Sequence, residues 1–132
     1  MLDAEHLLCE ARMASEKAYA PYSKFPVGAV LLLQSGRVVH GANVENASFG
    51  LTICAERSAL VSWISQGLQE DAIQAVAIYA QHTPHHHITP CGACRQALME
   101  LVPPHATLVF YDATGTPKTQ NLATLLPEHF SL

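Results

Sequence analysis

Two cysteines three positions apart, Cys91 and Cys94, stand where a loop ends at Pro90 and an apolar-periodic helix begins. That spacing suits a metal, because the unpaired N–H groups of a first helical turn favour negative charge and make thiolates easier to form. Alone, a Cys-x-x-Cys motif fits half of a structural zinc site, a thiol redox pair or two packing thiols. Upstream, Thr52-Ile53-Cys54-Ala55-Glu56-Arg57 adds a third thiol at the start of a second periodic segment, with a carboxylate two residues on. Three sulfur ligands leave tetrahedral Zn²⁺ one open corner, which a catalytic site keeps and a structural site closes. Glu56 is then the candidate proton carrier, and one zinc per chain the expected cofactor. Residues two apart on a helix diverge, so Cys54 and Glu56 converge only on an ion that lies off the helix end and sees its first turn axially.

The segments around these motifs alternate between helix and strand. Residues 3–20 carry apolar side chains at Leu7, Leu8, Ala11, Ala14 and Ala18, a helical spacing ended by Pro21; Cys9 within it reads as a small buried hydrophobe. Residues 20–26 form a two-proline loop bearing Tyr22 and Phe25, whose aromatics suit either a ligand or packing. Residues 27–33 and 37–42 read as a hairpin about Ser35-Gly36, followed by the polar loop 43–50. A helix over 54–66, with Gly67 at its C-terminal boundary, and a strand over 72–80 come next. The helix from Cys91 stops before Pro103-Pro104, residues 107–111 form a fourth strand, and a short strand near Lys118 and a helical turn over 121–126 complete the chain. Such alternation indicates a layered α/β fold. In the loop before Cys91, His85-His86-His87 reads as solvated, since adjacent loop residues cannot all face one ion.

At 132 residues the chain is read as one domain over 1–132, able to bury roughly two-thirds of its unfolded surface. Charged residues are 14%, below the usual roughly 25%, so further copies of the chain are expected to cover part of the surface. The net charge of −4 and seven scattered Lys and Arg disfavour a nucleic-acid partner. No secretory leader or apolar run near the roughly 18 residues of a membrane span is found, so a soluble cytoplasmic protein with reduced or metal-bound cysteines is expected.

With these motifs in place, the sequence resembles the small zinc-dependent cytidine deaminases over nearly its whole length. The likeness runs through Tyr19-Ala20-Pro21-Tyr22-Ser23-Lys24-Phe25-Pro26-Val27-Gly28, Asn43-Val44-Glu45-Asn46-Ala47-Ser48, Cys54-Ala55-Glu56-Arg57, Pro90-Cys91-Gly92-Ala93-Cys94-Arg95-Gln96 and Leu125-Leu126-Pro127. It implies a three-layer α-β-α sandwich around a mixed sheet of about five strands. It also implies hydrolysis of cytidine and 2′-deoxycytidine to their uridine counterparts and ammonia in pyrimidine salvage, with zinc on Cys54, Cys91 and Cys94, zinc-bound hydroxide attacking C4, and Glu56 shuttling protons.

By the same resemblance, Phe25 lies against the base, Asn43 and Glu45 bond the ribose 3′-hydroxyl, and backbone groups around Ala55 and Ala93 read the pyrimidine edge. Arg57 and Arg95 hydrogen-bond the sulfurs and draw off their charge. Phe130 reaches the base of a neighbour in a homotetramer with shared sites. Phe49 departs from the tyrosine often found there, removing a phenol on the substrate's 5′ side. Rival readings are a deaminase of a nucleoside antibiotic or modified cytidine on the same fold, and a structural-zinc or redox module. The last requires a fourth protein ligand, His40 or His82, or a Cys91–Cys94 disulfide.

Overall fold

The computed structural model describes residues 2–81 and 85–132. Five strands, β1 (Val27–Leu33), β2 (Val38–Ala42), β3 (Ile73–Ala80), β4 (Thr107–Tyr111) and β5 (Pro117–Asn121), form one sheet in the order β2-β1-β3-β4-β5. All pairings are antiparallel except β3 with β4, so the sheet is mixed. Helix α1 (Ala4–Ser15) covers one face, and α2 (Ala55–Ser65) and α3 (Gly92–Leu101) the other. The expected three-layer sandwich is therefore the observed fold.

The period-two pleat divides the core. Ala29, Leu31 and Leu33 of β1, with Val76 and Ile78 of β3, pack with Ala59, Trp63 and Leu98 on the two-helix side. Val30, Ala75 and Ala77 point the other way, to Leu7, Leu8 and Ala11 of α1. With side chains this small on the α1 side, the helix lies close to the sheet, and Cys9 falls outside its buried stripe. The thiol is exposed, contrary to the expectation of burial.

Helix α1 also ends earlier than the periodicity indicates. The Tyr19 N–H donates to the Asn43 carbonyl at 2.9 Å and its carbonyl accepts from the Glu45 N–H at 2.8 Å, so the chain leaves the helix to make a bridge with the loop after β2. That long-range pairing has no local signature. It ties the Tyr22–Phe25 loop to the segment carrying Asn43 and Glu45.

Two glycines set the distance between helices and sheet. A Cβ on Gly28 would lie 1.9 Å from the Ala11 carbonyl oxygen, and one on Gly41 would lie 2.4 Å from both the Ala55 carbonyl oxygen and the Ala59 nitrogen. Both contacts are backbone, which cannot swing aside. Gly41→Ala is expected to destabilise the protein by about 3 kcal/mol, the upper part of the overpacking range, read as a lowered urea midpoint. A midpoint equal to that of the natural chain would show that α2 yields freely.

Candidate metal and active site

Helices α2 and α3 both begin at the end of the sheet where β3 finishes and β1 starts. Cys54 is the N-cap of α2 and Cys91 the N-cap of α3, both with extended backbone and neither capping through its side chain. Cys94 follows in the first turn of α3. Their sulfurs all lie within 4.8 Å of one another, with 4.0 Å between Cys54 and Cys91. Zn–S bonds of about 2.3 Å at tetrahedral angles require sulfurs about 3.8 Å apart, so the trio fits this ion. Thiolate ligands fit its chemistry as well. All four cysteines are free, and this trio is the one such group among the described residues.

The N-cap position also removes the geometric difficulty between Cys54 and Glu56. Cys54 is not helical (φ −70°, ψ 156°), so the divergence expected of residues two apart on a wheel does not apply. Both residues line one cavity. Glu56 is 4% exposed, and its burial pushes the carboxyl above the usual carboxylate range, outweighing its own N–H, the Cys94 thiol and Arg57. A raised carboxyl beside a metal-type thiol cluster is the environment of a group that exchanges protons.

The thiols themselves are unequal. Burial opposes ionisation of Cys91, yet the N–H groups of Cys94 and Ala93 and the neighbouring sulfurs bring its thiol below the ordinary value. Cys94, fully buried, is pushed up by burial and by the Glu56 carboxylate. A 2+ ion reverses that preference by displacing the proton outright. Arg57 donates from Nη2 to the Cys54 sulfur at 3.5 Å, and Cys54 and then Cys94 hold the guanidinium in its charged form. Its buried Nε has no partner among the described residues.

Arg95 departs from its expected place. Its three guanidinium nitrogens go to oxygens, namely the Pro90 carbonyl (2.8 Å), the Leu125 carbonyl (2.9 Å) and the Thr89 hydroxyl (3.3 Å). The side chain thus bonds the loop that enters Cys91 and the chain at Leu125, with no hydrogen bond to a sulfur among the described residues.

The cavity has a volume of about 550 Å³, within the range of small-ligand sites. Phe25, half-exposed, and Ala55, fully buried, line it with Cys54 and Glu56. Asn43 lies on its wall with its amide engaged: Oδ1 accepts from the Val27 N–H at 2.8 Å and Nδ2 donates to the Phe25 carbonyl at 3.0 Å. Glu45 accepts from the N–H groups of Tyr22 (3.0 Å) and Ser23 (3.1 Å) and from the Ser23 hydroxyl. Ser23, through its hydroxyl and then its N–H, holds the Glu45 carboxyl below its ordinary value, so Glu45 faces the cavity as an anionic acceptor. These two residues also fix the loop that presents Phe25.

Phe130 does not line the cavity; its ring is exposed and its carbonyl accepts from Gln96 Nε2 at 3.0 Å. Phe49 is 78% exposed and edge-on to Tyr22, at the rim of a smaller recess that shares Ser23, Glu45 and Thr52 with the main cavity. His86 and His87, read from the sequence as merely solvated, form part of the cavity wall together with Glu45 and Ser23. The His87 ring stands edge-on to Phe110 at 6.3 Å, and the Ile88 N–H donates to the Tyr111 carbonyl at 3.0 Å. The run of three histidines was the signal, set aside because adjacent loop residues cannot all face one ion; a place on the cavity wall requires no shared ion. His40 is bonded to Glu10 at 2.8 Å, which gives no fourth ligand among the described residues, and His82 lies outside them.

A three-thiol cluster with a buried carboxyl, opening on a ligand-sized cavity at the end of an α-β-α sheet, defines a zinc-dependent hydrolytic enzyme. The comparisons narrow the class. The family model for the cytidine and deoxycytidylate deaminase zinc-binding region matches residues 1–110. A cytidine deaminase of Halalkalibacterium halodurans is 42% identical over 130 residues, 98% of this chain and 96% of the relative. The crystal structure of cytidine deaminase from Burkholderia pseudomallei matches with a TM-score of 0.88 at 43% identity, covering 98% of this chain and 100% of that one. That of cytidine deaminase from Mycobacterium tuberculosis matches with a TM-score of 0.82 at 38% identity, covering 100% of both. The chain belongs to the cytidine and deoxycytidylate deaminase zinc-binding family.

Proposed function

We propose that this chain hydrolyses cytidine and 2′-deoxycytidine to uridine and 2′-deoxyuridine, releasing ammonia, as an enzyme of pyrimidine salvage. The observation that carries the reading is the convergence of Cys54, Cys91 and Cys94 beside the buried Glu56 in a cavity of small-ligand size. Cys54, Cys91 and Cys94 would hold zinc as thiolates, and the ion would supply a water of lowered pKa. Glu56 takes a proton from that water, delivers one to N3 of the base, and carries the next to the 4-amino nitrogen. C4 gains an oxygen and loses ammonia, and Glu56 ends as it began. Arg57 offsets the excess negative charge of three thiolates on a 2+ ion.

Phe25 packs against the base, and the backbone around Ala55 and Ala93 reads the pyrimidine edge. Glu45 accepts from the ribose 3′-hydroxyl, while Asn43, both ends of its amide occupied by the Phe25 loop, supports that contact from behind and bonds the sugar through its remaining amide proton. The chain works in the cytoplasm as a homotetramer, a reading supported by the exposed apolar side chains of Phe49, Leu51, Val61 and Phe130. None of the described helices is long and apolar enough to cross a membrane.

The test is ammonia release from cytidine, deoxycytidine, cytosine and adenosine. Turnover of the two cytosine nucleosides with little from the free base or the purine is expected. Glu45→Gln, which removes the anionic acceptor, is expected to raise KM for both nucleosides by about tenfold, the weight of one charge-assisted hydrogen bond. Activity confined to a modified or antibiotic nucleoside would transfer the reading to that class.

A further inference from the structure

Arg95 directly follows the ligand Cys94, and its guanidinium bridges three separate acceptors: the Pro90 carbonyl, the Thr89 hydroxyl and the Leu125 carbonyl. The next side chain, Gln96, donates to the Phe130 carbonyl at 3.0 Å. Two consecutive residues of α3 therefore grip the loop ahead of the metal turn and the last stretch of the chain behind it. Pro90 contributes the carbonyl of the peptide that enters Cys91, so fixing that carbonyl fixes the direction in which Cys91 leaves the loop. The Arg95 N–H also donates to the Cys91 carbonyl at 2.9 Å, so Arg95 holds the peptides on both sides of Cys91, whose side chain is exposed. Residues 127–132 are likewise all exposed, and the bond from Gln96 is the one hydrogen bond that reaches them among the described residues.

We propose that Arg95 and Gln96 form a clasp that couples zinc retention at Cys91 and Cys94 to docking of residues 125–130. The proposal rests on the zinc reading of the thiol cluster. Each partner biases the other: an ion that orders the Cys91 turn presents the Pro90 carbonyl to Arg95, and a docked C-terminal segment orients the same guanidinium from its far side. Linkage requires the effect to run equally in both directions. The planar fork of arginine is essential, since a lysine ammonium on a flexible stem has no fixed geometry with which to span three acceptors. Arg95 is thus a positioning residue, acting on the metal through the backbone of its ligand.

Zinc affinity by competition with a chromogenic chelator, together with amide hydrogen exchange of the zinc-loaded and zinc-stripped protein, tests this. Arg95→Ala is expected to bind zinc about 10–100-fold more weakly, with no recovery in Arg95→Lys, and Gln96→Ala to show a smaller loss. Amides of 125–132 are expected to exchange faster in Arg95→Ala and in the stripped natural chain. Those of β1 and β3 should keep their protection, which a general loss of stability would not allow. A natural chain that binds no zinc overturns the reading of the site, and the clasp with it. A chain that binds zinc, but whose 125–132 exchange ignores the metal or whose Arg95→Ala variant keeps full affinity, overturns the clasp alone. Should Arg95→Ala fail to fold, Gln96→Ala and the loaded-against-stripped comparison of the natural chain decide the matter.

Discussion

Glu56→Gln yields a folded, zinc-loaded protein whose turnover of cytidine falls by at least about 10²–10⁴, the range of general acid–base catalysis. The upper end or beyond is expected because one carboxyl makes every transfer in the proposed sequence. Glutamine keeps the volume and one acceptor but neither takes nor gives a proton at neutral pH. Burial already disfavours the charged form of Glu56, so a neutral amide removes a desolvation cost and the melting temperature should hold or rise. Zinc content and thermal melting measured beside the initial rate separate chemistry from structure. A variant within threefold of natural activity would remove Glu56 from the mechanism, and one that had lost its zinc would make Glu56 a support of the metal instead.

Cys94→Ala abolishes both the metal and the reaction. Its sulfur is fully buried between the other two thiols and Glu56, leaving no room to recruit another ligand, and two remaining thiolates hold zinc poorly at an open corner. Affinity should fall by well over the roughly 10–100-fold that loss of an outer-shell partner costs, and activity to background. The control is the natural chain stripped with a chelator: one equivalent of zinc should restore it, while Cys94→Ala stays inactive at the same concentration. Recovery of the variant by stoichiometric zinc would show that two cysteines suffice.

The metal site was legible in the sequence because its chemistry is local. Cys91 and Cys94 sit within one helical turn, and the start of a helix is written in the residues around it. What joined Cys54 and Glu56 was less visible, since a wheel treats both as helical, whereas Cys54 is still extended and belongs to the loop. Arg95 lies next to a ligand in the chain, yet its partners are set by where Leu125 returns thirty residues later, which no spacing rule carries. The end of α1 at Ser15 escaped for the same reason, Tyr19 being drawn out of register by Asn43 and Glu45. His86 and His87 were marked by the run of three histidines, but only the folded loop brings them to the cavity wall.

Of the two outer strands of the sheet, β5 has a consequence of its own. Strand β5 opens with Pro117, which cannot donate, and continues with the polar Lys118, Thr119, Gln120 and Asn121, the lysine exposed. The three apolar strands behind it would make a ready template for fibrillar growth were that border greasy. This margin is instead inhospitable to a sixth strand, and replacing Lys118 and Gln120 with valine should promote polymerisation along that edge of the sheet.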